Sequence, residues 1–292
     1  MVLPMLIRNL SNIDYKHGVY VEPKYDGIRA IVMINPETNK MIIYSRTGKR
    51  FIGFRCIENE ATELLNKRTN IILDGELYKH GMHLQDISGI VRTLGSINTH
   101  DDDISTSSAK EQLKLYVFDL YDKSRPMLQQ WQRKELLDEL FKQYKHDYAS
   151  SCIIKVHTTI VHSRDQLEQL YNKYLKEGYE GAIIRKKESI YEPGTRSKHV
   201  FKLKPYHTDE FTIVDSKEGI GKDKGAIILI LESHGSNRLP FSAVPNVSYK
   251  ERVKMWKDRY QLLGKKATVQ YVGLSKDGIP LQPKVLAIRD YE

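Results

Sequence analysis

Cysteine is almost absent: Cys56 and Cys152 are the two in 292 residues. Neither stands in a C-x-x-C spacing, which excludes a cysteine-rich zinc module. Such scarcity fits a reducing compartment, with both thiols serving as small buried hydrophobes. No apolar run approaches the ~20 residues needed to cross a bilayer. Met1 to Ile7 is interrupted too soon for a secretory leader, so we expect an intracellular protein without a membrane partner. No internal repeat is present.

What the chain has in surplus is positive charge. Its 46 Lys and Arg against 37 Asp and Glu give +9 at neutral pH. Such a balance favours polyanionic partners, because phosphate contacts release condensed counterions. Hydrophobic residues make up 40% of the chain, enough for a sizeable core.

Short β-branched and aromatic runs predict strands at Met41–Tyr44, Ile71–Leu73, Leu115–Phe118 and Ala182–Ile184. After Ser163, the spacing of Leu167, Leu170, Tyr171, Tyr174 and Leu175 predicts a helix. Ser163 and Gln166 form a capping-box pattern at its start, and Gly178 ends it. A second helix carries Trp131, Leu136, Leu137, Leu140, Phe141 and Tyr144 on one core-facing side. The polar stretch Asn98–Lys110 reads as a surface loop.

Beyond Pro205 the texture changes. Strand patterns at Phe211–Val214, Ala226–Leu231, Ala267–Val272 and Val285–Ile288 surround one polar helix near Tyr249–Tyr260. A β-domain of about 85 residues with a single helix suggests a small Greek-key barrel of the oligonucleotide-binding (OB) kind. The boundary falls near residues 204–208.

The segment Glu22-Pro23-Lys24-Tyr25-Asp26-Gly27-Ile28-Arg29 places a lysine beside a turn signal. Alone, K-x-D-G describes many surface turns. Downstream, in order, come Ser45-Arg46-Thr47-Gly48, Asp74-Gly75-Glu76, Tyr116-Val117-Phe118-Asp119, Glu180-Gly181-Ala182-Ile183-Ile184-Arg185 and Phe201-Lys202-Leu203-Lys204. Each cluster borders a predicted strand, and the ordered set is hard to obtain by chance.

This set resembles the covalent nucleotidyltransferases, and within them the ATP-dependent DNA ligases of minimal viral and phage type. Glu180–Lys186 and Tyr191-Glu192-Pro193-Gly194-Thr195-Arg196-Ser197 carry the likeness furthest. The resemblance implies an α+β chain of two domains. Residues 1–204 would form an antiparallel-sheet nucleotidyltransferase (ATP-grasp-like ligase) domain, and residues 205–292 an OB-fold barrel. It implies nicked duplex DNA as partner, ATP as substrate and Mg²⁺ as cofactor, with a monomer acting in the cytoplasm, nucleoid or nucleus.

The resemblance implies three steps. Lys24 attacks the ATP α-phosphate, AMP passes to the 5′-phosphate of a nick, and the 3′-hydroxyl displaces AMP. An attacking amine must be neutral, whereas a free lysine titrates near pH ~10.4, so nearby cations and partial desolvation are required. Arg29, Lys202 and Lys204 are candidate cations. By the resemblance, Glu180 holds the metal, and Glu76 holds the ribose or a metal. Phe118 stacks on adenine. Glu22 and Arg29 join the nucleotide-binding set, Arg29 at the ribose or the nick phosphate. Lys202 and Lys204 bridge phosphates from one strand face. Arg46 and Arg196 grip the nick 5′-phosphate with bidentate forks.

Two departures from the family stand out. In Pro280–Asp290, Lys284, Arg289 and Asp290 keep part of a basic pyrophosphate motif, but Leu281 and Tyr291 replace expected basic residues. Between Val214 and Ala226 stands only the short Lys217–Gly225 loop, where a minimal viral ligase can carry a DNA-clasping hairpin. An accessory DNA-binding partner would supply that grip. The nearest alternatives are an RNA ligase or a capping guanylyltransferase with the same lysyl-nucleotide chemistry. A more distant one is a nucleic-acid-binding protein without catalysis. Two cysteines cannot build the four-cysteine zinc site of an NAD-dependent ligase.

Overall fold

The computed structural model describes residues 2–92, 109–144, 151–234 and 237–289. The loop expected at Asn98–Lys110 therefore lies outside the described residues, except for helical Ala109 and Lys110. Asp290 and Tyr291 also lie outside them. The chain divides into two compact units, Met1–Leu203 and Lys204–Glu292.

In chain order the first unit runs β1 (Leu6–Asn9), β2 (Val19–Lys24), β3 (Ile28–Ile34), β4 (Met41–Ser45), β5 (Arg50–Phe51), α1 (Arg55–Leu65), β6 (Ile71–Tyr78) and α2 (Leu84–Arg92). It continues with β7 (Lys114–Asp122), α3 (Gln130–Gln143), β8 (Ile153–Lys155), β9 (Thr159–Val161), α4 (Arg164–Lys176), β10 (Gly181–Lys186) and β11 (Arg196–Leu203). One sheet has the order β1-β11-β10-β2-β9, the other β5-β4-β3-β6-β7-β8. Both are mixed rather than antiparallel as expected, since β1 pairs parallel with β11, and β7 with β8. Parallel neighbours need long crossovers, and these partners are far apart in sequence, so no local turn signal announces them.

Each sheet buries a face under helices. On α1, Ile57, Ala61, Leu64 and Leu65 follow helical spacing and join the core of the six-stranded sheet. On α4, Leu167 and Tyr174 pack with Val21, Ala182 and Ile184 of the other sheet. Ser163 caps α4 by accepting the Gln166 N–H at 3.2 Å. The Gln166 side chain reaches His162 N–H rather than that of Ser163, so the reciprocal half of the capping box falls one residue early.

Two expectations about side chains are corrected. Trp131 on α3 is exposed, while Arg133 is buried with Leu137, Leu140 and Phe141. The inward position goes to the arginine because a carboxylate awaits it there. Cys56 and Cys152 are joined in a disulfide that ties α1 to the segment entering β8. They are not independent buried thiols; a fold can pair residues that linear spacing keeps apart.

The second unit contains β12 (His207–Glu218), β13 (Ile227–Glu232), β14 (Pro240–Pro245), α5 (Tyr249–Lys257), β15 (Lys266–Tyr271) and β16 (Lys284–Arg289). Its strands close a barrel in the order β12-β13-β14-β16-β15. β13 and β14 alternate buried and less buried residues along their length, as strands with one interior face do. Phe211, Ile213, Leu229, Leu231, Phe241 and Val269 fill the interior. Ser248 and Glu251 form a complete capping box at the start of α5. Among the described residues no helix is long and apolar enough to cross a membrane.

Candidate active site

Lys24 is the last residue of β2, and Ile28 opens β3 in the other sheet. The Lys24–Ile28 segment is thus where the chain leaves one sheet and enters the next. β9 pairs only with Val19–Val21, so Pro23 sits where the strand has a neighbour on one side. A residue without an N–H is tolerated at such a place. Gly27 is required by close packing: a Cβ there would lie 2.3 Å from the Leu77 carbonyl oxygen and 2.8 Å from the Glu76 side chain.

The neighbours of Lys24 hold it from both directions. Tyr25 packs against Tyr78, Tyr116 and Tyr179 at centroid separations of 5.1, 4.6 and 5.4 Å. Burial among these rings pushes the Tyr25 phenol well above its ordinary range. Glu22 lies beneath the strand, 1% exposed. It accepts from Lys134, from the Thr158 hydroxyl at 2.9 Å and from Arg185 Nε at 3.0 Å. Burial opposes its charge, but Lys134 and Arg185 outweigh that and hold the carboxyl below its usual value.

The charges continue inward from Glu22. Arg185 reaches Asp119 at 3.4 Å, and Arg133 grips Asp119 at 2.8 and 3.1 Å. Arg133 also donates to the Leu128 and Ser189 carbonyls and to Gln130. Burial is again overcome: Arg133 and Arg185 keep Asp119 below the usual carboxylate range. Removing one member of such a buried set leaves an uncompensated charge, which costs about 3–5 kcal/mol.

Arg29 occupies a parallel arrangement. It donates to Asp74 through Nε at 2.5 Å and NH2 at 2.6 Å, and to the Met5 carbonyl at 3.2 Å. Tyr191, from the Y-E-P-G-T phrase, donates its hydroxyl to the same Asp74 at 2.6 Å and accepts the Met5 N–H at 3.2 Å. Asp74 of the Asp-Gly-Glu cluster thus anchors Arg29 and Tyr191. Phe118 stands at a bulge where β7 shifts register against Asp74 and Gly75. Bulges re-aim side chains beside active sites. The guanidinium carbons of Arg29 and Arg185 lie 4.7 and 5.0 Å from its ring centroid.

Two more carboxylates complete the cluster. Glu180 accepts from Lys24 Nζ, and its own N–H donates to the Lys24 carbonyl at 3.0 Å. Burial pushes Glu76 up to about 7, against the pull of Arg29 and Lys24 and with help from Asp74 and Glu180. Glu180 and Glu76 are the carboxylates suited to a hard divalent cation held by few protein oxygens. A cation there would offset the negative charge that burial makes costly at Glu76, so the donor set fits Mg²⁺.

Lys202 shares a cross-strand row with Ile183 and Glu22. Residues opposite one another share a face, and Lys24 is two residues from Glu22, so Lys202 and Lys24 face the same way. β11 ends at Leu203. Lys204 belongs to the second unit, where its Nζ donates to Gln282 at 3.3 Å. Arg46 is exposed on the Ser45–Lys49 turn, closed by Gly48 N–H to the Ser45 carbonyl at 3.0 Å. Arg196 begins β11 and donates to the Ile7 carbonyl.

Residues 4–204 match the family model of the ATP-dependent DNA ligase domain. Across 99% of its length the chain is 33% identical to a DNA ligase of African swine fever virus (isolate Warthog/Namibia/Wart80/1980), covering 69% of that protein. The chain belongs to the ATP-dependent DNA ligases. The fold of this ligase is also that of a Lig E DNA ligase studied for DNA binding with a minimal scaffold, at TM-score 0.72 and 20% identity over 99% of this chain and 100% of that one. It resembles the bacteriophage T7 ATP-dependent ligase in complex with ATP at TM-score 0.56 and 18% identity, over 98% of each chain.

Glu22, Lys24, Arg29, Glu76, Phe118 and Glu180 are brought together in the first unit of the ligase. The sequence reading missed Asp74, Asp119, Arg133, Lys134, Arg185 and Tyr25. Asp74, Asp119, Arg185 and Tyr25 sit inside the quoted motifs, and their burial was the missing signal. Lys134 and Arg133 lie on a helix where nothing in the periodicity marks a charge as inward.

Proposed function

We propose that this ligase seals nicks in duplex DNA by charging Lys24 with AMP. The Lys24 amine attacks the α-phosphorus of ATP. A phosphorus–nitrogen bond forms, the bond to the bridging oxygen breaks, and pyrophosphate leaves. A 5′-phosphate oxygen at the nick then takes AMP from Lys24, and the 3′-hydroxyl finally displaces AMP to leave a phosphodiester.

The observation that carries this reading is the pairing of Lys24 with Glu180 at the crossing between two sheets. Glu180 and Glu76 would hold Mg²⁺. The ion, when bound, supplies positive charge beside the α-phosphate and engages the carboxylate that otherwise pairs with the lysine. The chain's own residues position everything else. Tyr25 and Glu22 fix the backbone on either side of Lys24. Phe118 gives adenine a flat apolar face, and the Asp74–Arg29 pair fixes the cation beside that ring. Glu22 acts on the nucleotide site through Lys134 and Arg185, because both its oxygens already have partners. Lys202, on the strand face that carries Lys24, meets phosphates, and Arg46 and Arg196 meet the nick.

We assign residues 1–204 to the nucleotidyltransferase domain and residues 205–292 to an OB fold. A five-stranded closed barrel with one helix between its third and fourth strands supports the second assignment. The enzyme acts as a monomer, aided on DNA by an accessory protein.

Incubation with radiolabelled ATP and Mg²⁺, followed by nicked duplex, tests the proposal. Label should attach to wild type but not to Lys24→Ala, and should leave as the nick closes. Sealing confined to nicks with RNA strands would move the substrate to RNA. Failure to label wild type would remove Lys24 from the chemistry.

A further inference from the structure

Cys56 and Glu60 stand one turn apart on α1, a spacing that puts both side chains on one helix face. Cys152, just ahead of β8, meets them from the sheet. The candidate ligand atoms of the three residues all lie within 4.8 Å of one another. The two cysteines form the disulfide, with their Cα atoms 6.0 Å apart. Cys56 Sγ lies 3.9 Å from Glu60 Oε1.

A disulfide needs no carboxylate beside it, yet Glu60 is held there firmly. Its Oε1 accepts the Cys152 N–H at 2.8 Å. Its Oε2 accepts the Ile153 N–H at 2.9 Å and the Ser151 hydroxyl at 2.6 Å. An ionised carboxylate offers about four lone-pair sites, so Oε1 keeps capacity toward the sulfurs. Hydrogen bonds that orient a carboxylate from behind are a common support of metal ligands. Two ligands at i and i+4 on a helix, with a third from elsewhere, is also a recurrent way of building a metal site.

We propose that, when the disulfide is reduced, Cys56, Cys152 and Glu60 bind a thiophilic divalent cation of the zinc type. Two equivalents of a small thiol break the S–S bond, giving two cysteine thiols and one small-molecule disulfide. Cation binding then forms two metal–sulfur bonds and one metal–oxygen bond, and the two thiol protons leave to solvent. Three protein ligands leave one tetrahedral position for water. Thiolates select zinc-type cations over Mg²⁺, so this site is chemically separate from the carboxylates beside Lys24. In either state α1 stays tied to β8: through sulfur–sulfur when oxidised, through the cation when reduced.

The test uses the full chain, reduced by a phosphine in chelator and desalted without oxygen. Titration with Zn²⁺ should bind one equivalent against a colorimetric chelator, and Co²⁺ should give thiolate-to-metal absorption in the near ultraviolet. Zn²⁺ should raise the melting temperature of reduced protein and leave oxidised protein unchanged. Cys56→Ser and Cys152→Ser should lose uptake while still accepting AMP. Should either variant fail to fold by circular dichroism, oxidised wild type is the control, since both its sulfurs are committed to each other. Reduced wild type that takes up no zinc, or oxidised protein that takes up as much, would overturn the proposal.

Discussion

Lys24 and Glu180 are joined twice, by main chain and by side chain. The Glu180 N–H donates to the Lys24 carbonyl at 3.0 Å, and Lys24 Nζ donates to the Glu180 carboxylate. The first bond fixes where the strands meet, and the second sets a carboxylate against the amine. Because they are separable, a side-chain change at Glu180 can alter chemistry while the strand pairing of Gly181 with Lys24 persists.

Glu180→Gln should therefore fold normally and accept AMP slowly. Without one of the two carboxylates that would hold Mg²⁺, the cation that offsets developing phosphoryl charge is held more weakly, a loss on the order of 10²-fold. Initial rates of labelling from ATP measure this, with Lys24→Ala as the unlabelled limit. A Glu180→Gln rate close to wild type would remove Glu180 from the role given it here.

Gly27→Ala should damage the same step through geometry. The added methyl would sit 2.3 Å from the Leu77 carbonyl oxygen, so the turn between β2 and β3 must shift. Overpacking of this kind costs about 1–3 kcal/mol. A melting temperature lowered by several degrees, together with slower AMP charging, is the expected pair of results. Unchanged stability would mean that the turn yields without cost.

The site was legible in the sequence wherever chemistry demands one residue type, and illegible wherever burial decides. Lys24, Glu76, Phe118 and Glu180 were named from their motifs, and the fold gathers them around Arg29 in the first unit. Asp119 and Arg133 were not found as a pair, because they meet through two elements whose local patterns are ordinary. The barrel was legible from short strands and turns. The parallel pairings β1–β11 and β7–β8 were not, since no local feature encodes a distant partner. The cysteine pair was missed for the same reason.

Glu76 carries a pH signature in metal-free protein. Burial raises its carboxyl from the ordinary 4.5 to about 7. A raised carboxyl favours the folded state fully below its ordinary value, and that contribution is lost as pH rises through about 7. Glu76→Gln, which cannot ionise, should thus gain stability relative to wild type as pH rises from about 5 to about 8, by about 2 kcal/mol at the upper end. Thermal melts of both proteins in chelator across that range are the measurement. A difference that stays constant with pH would place the Glu76 carboxyl in a more hydrated setting.

A change at Arg46 should separate DNA grip from nucleotide chemistry. It is exposed on a tight turn closed by Gly48, whose φ of 84° suits glycine. An arginine so placed can meet a phosphate without being part of the buried network around Lys24. Arg46→Ala should weaken binding to nicked duplex and reduce the slope of log affinity against log salt by about 1. AMP charging from ATP should be unaffected. Wild-type binding should itself fall steeply with salt, because several phosphate contacts release counterions. Binding to nicked duplex that is flat across moderate salt would mean that neither Arg46 nor the chain's +9 charge governs the encounter with DNA.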